Sequence, residues 1–213
     1  ASDVYKRQVF GDAIDLQRFG EIGKKGVLAL MCDSTNAERQ GFTMSERTVG
    51  RTFDNIFAEH KNTRIIIATF ASNVDRVQQI INSAYKYGRK VVVEGRSMVN
   101  VITTAAELGY LKIPENTLID IDHMKNYPDD QMVLVTTGSQ GESMAALSRM
   151  AASIHKKVSI KPGDTIIFSS NPIPGNEKAV SKVINELSAK GADVIFSDVH
   201  VLSLIHISEP TRR

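Results

Sequence analysis

GVLALMCDSTN, residues 26–36, is the stretch that decides how this sequence is expected to fold. Five apolar residues lead into Cys32, and the run then stops at the polar residues Asp33–Asn36. A short, uninterrupted apolar run is typical of a strand that is buried on both faces of a parallel sheet. Because open α/β sheets keep their ligand sites at the carboxyl ends of their strands, these polar residues are predicted to lie at a binding edge.

The same plan of apolar run, small polar loop and amphipathic helix recurs along the chain. Further strands are predicted at Arg64–Phe70, Lys90–Val93, Asn116–Ile121, Met132–Val135, Thr165–Phe168 and Asp193–Phe196. Helices with an apolar face are predicted near residues 12–25, 45–60, 73–88, 97–108, 144–152 and 176–190, and residues 122–131 form a polar connection. The sequence therefore predicts an α/β fold with a mostly parallel sheet and helices on both faces.

Both ends of the chain are predicted to lie outside the fold. Ser2–Gln8 and Leu202–Arg212 are what two largely reverse-complementary DNA strings would encode, and both strings look like a transposon adapter used in sequencing libraries. Two natural tails are the alternative. We therefore expect residues 1–8 and 202–213 to be adapter-derived and the native segment to run from about Val9 to Val201. Neither tail is expected to be a signal peptide or a membrane anchor.

The composition is that of a soluble globular protein, with 42% hydrophobic and 23% charged residues and no long apolar segment. The formal charge of +2 resides in the two tails, so net charge gives no ground for predicting nucleic-acid binding. The single cysteine, Cys32, excludes an internal disulfide and fits a reducing compartment. Its place in an apolar run predicts a small buried side chain rather than a nucleophile.

The loops that follow the predicted strands are rich in serine, threonine, asparagine and glycine. Such loops lead into helix N-termini, whose free N–H groups and positive dipole end suit phosphate. The candidate binding residues are Ser72 and Asn73; Arg96 and Ser97; Thr137, Gly138, Ser139, Gln140 and Gly141; and Ser169, Ser170 and Asn171. The Arg96 side chain could pair with an anion through two N–H groups. Each loop alone also fits an ordinary cap or turn, and TTGSQGE (residues 136–142) is neither a GxGxxG nor a Walker loop.

Metal-ligand patterns are thin, because the histidines are scattered and the sequence holds no HxH, HxxxH or CxxC pair. His60, His123 and His155 are therefore expected to be structural or exposed. Asp33 and His200 differ, because each follows a predicted strand at the ligand edge. A carboxylate there can orient a metal ligand or accept a proton, although capping of a loop or helix is an equally open role for Asp33.

Several uncommon strings, taken together, resemble the bacterial ribonuclease J family. They are GVLALMCDSTNAERQGFTMSE (residues 26–46), IIIATFASNVDRVQQII (65–81), GRSM (95–98), TTGSQGESMAALSRMA (136–151), PGDTIIFSSNPIPGNEKAVSKVINEL (162–187) and SDVH (197–200). They occur in the order typical of the family and span essentially all of Val9–Val201.

The resemblance implies a metallo-β-lactamase-type nuclease with an inserted beta-CASP domain. Residues 9–36 would end a metallo-β-lactamase segment, and residues 37–201 would form the beta-CASP domain. Members of the family cut RNA, as 5′→3′ exonucleases that favour a 5′-monophosphate and as endonucleases. The resemblance thus also implies rRNA processing and mRNA decay in the cytoplasm, a homo-oligomer, no membrane partner, and two zinc ions that activate the attacking water.

Roles for single residues follow from the same resemblance. Asp33 matches an acid that supports the catalytic site without being a primary zinc ligand. Ser72, Asn73 and Val74 match a substrate-binding stretch, and His200 and Val201 match the start of a second one close to the catalytic site. The zinc ligands of the family would fall before Val9 or after Val201. We therefore expect that this chain holds no metal site and does not cleave RNA by itself.

Two other functions stay open at this point. A stand-alone module that binds a nucleotide or sugar phosphate on a Rossmann-like sheet would require the ends to be natural. A purely structural role in dimerisation finds no distinctive apolar stripe in the sequence. Under the resemblance, residues 26–36 become a hinge between two domains, and Asp33 would face the space of the zinc ions and the scissile phosphate.

Overall fold

The structure, a computed structural model, describes residues 15–31, 46–170 and 172–196, with side chains from Val49 onward in the second range. The predictions made for Cys32, Asp33, Asn171, His200 and Val201, and for both tails, lie outside these residues. Within the described part, no helix is long and apolar enough to cross a membrane.

The six strands that the sequence predicts after residue 60 are all present, and every neighbouring pair is parallel. Their order across the sheet is β3-β2-β4-β1-β5-β6. The strands are β1 (Ile65–Ala68), β2 (Lys90–Glu94), β3 (Leu118–Ile119), β4 (Met132–Thr136), β5 (Thr165–Phe168) and β6 (Asp193–Ile195).

The predicted helices are also present, and two short 3-10 helices (Ile121–Asn126 and Asp129–Gln131) fill the polar connection before β4. The α-helices are α1 (Leu16–Lys24), α2 (Glu46–Glu59), α3 (Val74–Lys86), α4 (Arg96–Glu107), α5 (Ala146–Ala151) and α6 (Glu177–Ala189).

Both faces of the sheet are covered, because alternate side chains of each strand enter different apolar clusters. Ile65 and Ile67 pack in a cluster with α2, α3 and α4, whereas Ile66 and Ala68 pack in a second cluster with α5 and α6. Each isoleucine of β1 is completely buried, which stabilises the fold by about 1.5–3 kcal/mol per side chain. The continuous apolar run of β1 therefore arises from burial on both faces, as predicted.

The connections keep a single hand. From β1 to β2 to β3 the chain moves toward one edge of the sheet through α3 and α4 on the first face. From β4 to β5 to β6 it moves toward the other edge through α5 and α6 on the second face. The two sets of connections run in opposite directions across the sheet and on opposite faces. Both therefore have the same handedness, as crossovers between parallel strands require.

Two buried arginines make hydrogen bonds that stabilise the amino end of the sheet. The Arg64 guanidinium pairs with both carboxylate oxygens of Asp164, at 3.0 and 2.6 Å. Arg89 donates to the carbonyl oxygens of His60, Lys61 and Thr63, which close the end of α2 and the turn before β1. These bonds tie the segments before β1, β2 and β5 together at the amino end of the sheet.

The prediction of a buried strand at residues 26–36 is wrong over its described part. Val27, Leu28, Leu30 and Met31 form no strand and are exposed, with Leu28 fully so at 106%. A strand needs a neighbour that accepts and donates its backbone hydrogen bonds, and no described strand lies beside this segment. The apolar side chains of α1 are likewise unburied.

Candidate functional site

The carboxyl edge of the sheet collects the candidate loops, as the parallel arrangement predicts. The loops after β1 and β2 turn toward helices on the first face, whereas those after β4 and β5 turn toward the second. Because the central order is β2-β4-β1-β5, each adjacent pair of these loops diverges. Crevices between diverging loops are where open α/β sheets bind ligands.

The loop after β1 presents Ser72 to solvent and ends in a helix cap. Asn73 Oδ1 accepts the backbone N–H of Arg76 at 3.0 Å, which satisfies one free donor of the first turn of α3. The Val74 side chain packs against the first apolar cluster, so its backbone N–H is the part that a ligand could use. Within the predicted substrate-binding stretch, Ser72 thus presents a hydroxyl to a ligand, Asn73 caps the helix, and Val74 presents only its backbone.

The loop after β2 is pressed against the loop after β4. Gly95 has φ +108°, and a Cβ atom there would lie 2.8 Å from Thr137 Oγ1. A residue with a Cβ atom would strain this backbone conformation and would require the Thr137 side chain to move. Arg96 and Ser97 begin α4, and both side chains are exposed. Because the residue before the helix is Gly95, the N–H groups of the first turn receive no hydrogen bond from a capping side chain.

The loop after β4 folds inward against the start of α5. The carbonyl oxygen of Thr137 accepts the N–H of Leu147 at 3.1 Å, and Gly138 at φ +112° packs against Leu147 and Ala145. Gly138 and Ser139 are buried and Thr137 is half-buried. These residues are packed inward and present little polar surface.

The loop after β5 is fastened by a glutamine. Ser169 and Ser170 are completely buried. Gln140 Nε2 donates to Ser170 Oγ at 3.3 Å, and its Oε1 accepts from the N–H of Ile173 at 2.7 Å and from Asn176 Nδ2 at 3.4 Å. Gln140 therefore joins the loops after β4 and β5, a role that sequence analysis did not assign to it.

Arg76 is a further residue that sequence analysis missed. Its side chain is completely buried in the first turn of α3, and Nη1 donates to the carbonyl oxygen of Ser169 and lies 3.2 Å from Ser169 Oγ. A charged residue in the first turn of a surface helix is ordinarily exposed, so nothing in the helical pattern signals this position.

A carboxylate and a histidine meet at the end of β2. Glu94 Oε1 lies 3.1 Å from His155 Nε2 and 4.0 Å from Arg149 Nη2. His155 Nδ1 accepts the N–H groups of Lys157 and Val158, so the ring proton is on Nε2 and is donated to Glu94. Both ring nitrogens are engaged, which confirms the expectation that His155 is structural.

The other two histidines also agree with that expectation. His60 Nδ1 lies 3.1 Å from Thr165 Oγ1 at the amino end of the sheet, and His123 is exposed. Among the described residues, no three of histidine, cysteine, aspartate and glutamate come together to hold a metal ion. The zinc implied by the resemblance thus finds no fitting ligand set in this part of the chain, and Asp33 and His200 lie outside it.

Comparison with known proteins defines the class. Residues 62–187, more than half of the chain, match the family described as Ribonuclease J, beta-CASP domain. This range covers β1 through most of α6 and includes all four loops of the candidate site.

Individual relatives agree. Ribonuclease J 1 of Streptococcus pyogenes is 50% identical over 190 residues, which is 89% of this chain and 34% of that protein. Ribonuclease J of Synechocystis sp. is 47% identical over 186 residues, 87% of this chain and 29% of that protein. Ribonuclease J2 of Bacillus subtilis is 43% identical over 189 residues, 88% of this chain and 34% of that protein.

The chain therefore belongs to the ribonuclease J family, and residues 62–187 correspond to the beta-CASP domain of that family. It spans about a third of the length of the curated relatives that it matches.

Proposed function

We propose that this chain is the RNA-binding beta-CASP part of a ribonuclease and that RNA lies along the carboxyl edge of its sheet. The observation that carries the proposal is that the loops after β1, β2, β4 and β5 all lie at that edge. The loops after β1 and β2 expose Ser72, Arg96 and Ser97 beside the N-termini of α3 and α4. Hydroxyls, a guanidinium and free N–H groups are the donors that phosphate oxygens accept.

The finer parts of the proposal concern the substrate. Single-stranded RNA with a 5′-monophosphate is the proposed ligand, because a terminal phosphate carries more charge than an internal one and fits a helix N-terminus. His200 and Val201 would extend the same binding surface, and Asp33 would support the catalytic site. Exonuclease and endonuclease activity, the processing and decay of RNA, the cytoplasmic location and a homo-oligomeric state are proposed for the longer protein.

Cleavage is not proposed for the chain alone. The described residues hold no cluster that could bind a metal ion, so no step of the proposal runs through zinc. In a longer family member, two zinc ions would activate the attacking water when bound. The contribution proposed for this chain is to bind and orient the RNA strand.

A binding titration tests the proposal. Fluorescence anisotropy of the chain with labelled single-stranded RNA compares a 5′-phosphate, a 5′-hydroxyl and a duplex end, with AMP as competitor. We expect the 5′-phosphorylated single strand to bind most tightly and Arg96→Met to weaken it about tenfold, the loss of one charge-assisted contact. Lys61→Met, an exposed cation at the amino end of the sheet, is the control and should change binding less than twofold.

Two results would contradict the proposal. Equal affinity for all three RNA ends would remove the case for a terminal-phosphate site, and AMP that binds as tightly as the 5′-phosphorylated RNA would favour a mononucleotide-binding module. Zinc-dependent cleavage of the RNA by the chain alone would overturn the expectation that it only binds.

A further inference from the structure

Arg76 has the greatest volume of the fully buried side chains among the described residues. Burial of a guanidinium is costly unless its N–H groups find acceptors, so a position like this persists only where the fold supplies them. The acceptors come from across the carboxyl edge: Arg76 starts α3, which follows β1, whereas Ser169 follows β5.

The bonds around Arg76 form a closed ring. Its side chain donates to the carbonyl oxygen and the hydroxyl of Ser169. The N–H of Ser169 donates to the carbonyl oxygen of Ala68 at 2.8 Å, at the end of β1. The N–H of Arg76 itself donates to Asn73 Oδ1 at 3.0 Å. The loop that carries Ser72 and Asn73 is therefore held at one end by Arg76 directly and at the other end by Ser169, which Arg76 contacts.

We propose that Arg76 is a positioning residue that fixes Ser72 and Asn73 for RNA binding without touching the RNA. The inference rests on the proposed function and adds to it a residue and a mechanism. Because Arg76 is completely buried, its N–H groups are out of reach of a phosphate at the surface. Its charge nevertheless lies directly behind the binding edge, where it favours an anion through the low-dielectric interior.

Two variants of Arg76 and one matched control test the proposal in the 213-residue chain. Arg76→Met removes charge and donors, whereas Arg76→Lys keeps the charge and replaces the planar guanidinium, whose Nη1 contacts both Ser169 oxygens, by a shorter side chain with an ammonium. Arg89→Met is the control, because Arg89 is only 4% exposed and also donates to carbonyl oxygens, but at the opposite end of the sheet. Affinity for 5′-phosphorylated single-stranded RNA is measured at several salt concentrations, after circular dichroism has established a folded state at the working temperature.

We expect Arg76→Met to weaken binding at least tenfold and Arg76→Lys at least fivefold, with Arg89→Met within twofold of the parent chain. The slope of log affinity against log salt should stay unchanged in Arg76→Lys, because no phosphate contact is lost directly. If Arg76→Met does not fold, Arg76→Lys and Ser169→Ala, which removes one acceptor and should weaken binding two- to threefold, decide the matter.

Several results would overturn the proposal. Full affinity in Arg76→Lys would mean that only the charge matters, and an equal loss in Arg89→Met would mean that stability alone is being measured. Binding within twofold of the parent in Arg76→Met would remove the role altogether. Absence of RNA binding in the parent chain would instead contradict the proposed function on which this inference rests.

Discussion

Gly141 lies against helix α6 so closely that a Cβ atom on it would be 2.5 Å from the carbonyl carbon of Ala179. The obstacle is backbone, which cannot swing aside as a side chain can. Gly141 also has φ +71°, a conformation that costs a residue with a Cβ about 1–2 kcal/mol. The loop after β4 can therefore pack directly against the first turn of α6 only because residue 141 has no side chain.

Substitution of Gly141 by alanine should therefore destabilise the fold by about 3 kcal/mol or more, the sum of a strained φ and a steric overlap. Gly88→Ala is the matched control, since Gly88 has φ +68° with open space around its Cβ position. Its cost should be about 1–2 kcal/mol. Urea unfolding of both variants measures the difference, and equal costs would show that the contact with α6 is unimportant.

Asp164→Ala should cost about 3–5 kcal/mol, because it leaves the Arg64 guanidinium buried without its carboxylate. Both side chains are 2–3% exposed, and Asp164 Oδ2 also accepts the N–H of Lys161 at 2.7 Å. Asp129→Asn breaks the half-exposed pair with Lys161 and should cost less than about 1 kcal/mol. Thermal unfolding followed by circular dichroism compares the two, and similar shifts in Tm would contradict the dominance of the buried pair.

Gln140→Leu should lower both stability and RNA affinity. The variant leaves Ser170 Oγ and the N–H of Ile173 without their partner, at about 1–3 kcal/mol for each buried group that stays unsatisfied. Gln78→Leu is the control, because Gln78 makes comparable bonds to the backbone of Lys112 and to no loop of the candidate site. A loss of stability in both variants with weaker RNA binding in Gln140→Leu alone is the expected pattern. Unchanged binding in Gln140→Leu would disconnect this residue from the site.

The pKa of Asp122 is lowered by the hydrogen bond from Lys157, whose ammonium lies 2.7 Å from Asp122 Oδ1. This pair contributes stability above the unfolded pKa of about 3.9, and the contribution is lost as the pH falls through the lower folded pKa. Lys157→Met should return the Asp122 pKa toward its ordinary value, as an NMR titration of the carboxyl carbon would measure. Lys156→Met should leave that pKa unchanged, and an equal effect of both variants would argue for general rather than paired electrostatics.

Apolar runs predicted the central strands because burial on both faces leaves a continuous signature, as Ile65, Ile66 and Ile67 illustrate. The same signature gave a wrong prediction of a strand at residues 27–31, since a run of apolar residues does not indicate whether a neighbouring strand exists. Loop composition placed Ser72 and Ser169 at the same edge without distinguishing them, although one is exposed and the other completely buried. Ser169 contacts Arg76, which is almost a hundred residues away in sequence, and such a contact is invisible to local patterns.

The position of β1 between β4 and β5 has a consequence for synthesis on the ribosome. Ile65 pairs with Val133 on one side and with Thr165 on the other, so neither edge of β1 is covered until long after it has been made. At about 5–20 residues per second, the hundred residues that separate Arg64 from Asp164 take roughly 5–20 s to appear. Until β4 has been made, β1 has no partner, and until β5 has been made one edge of β1 stays unpaired, which makes it a target for chaperones and a hazard for aggregation.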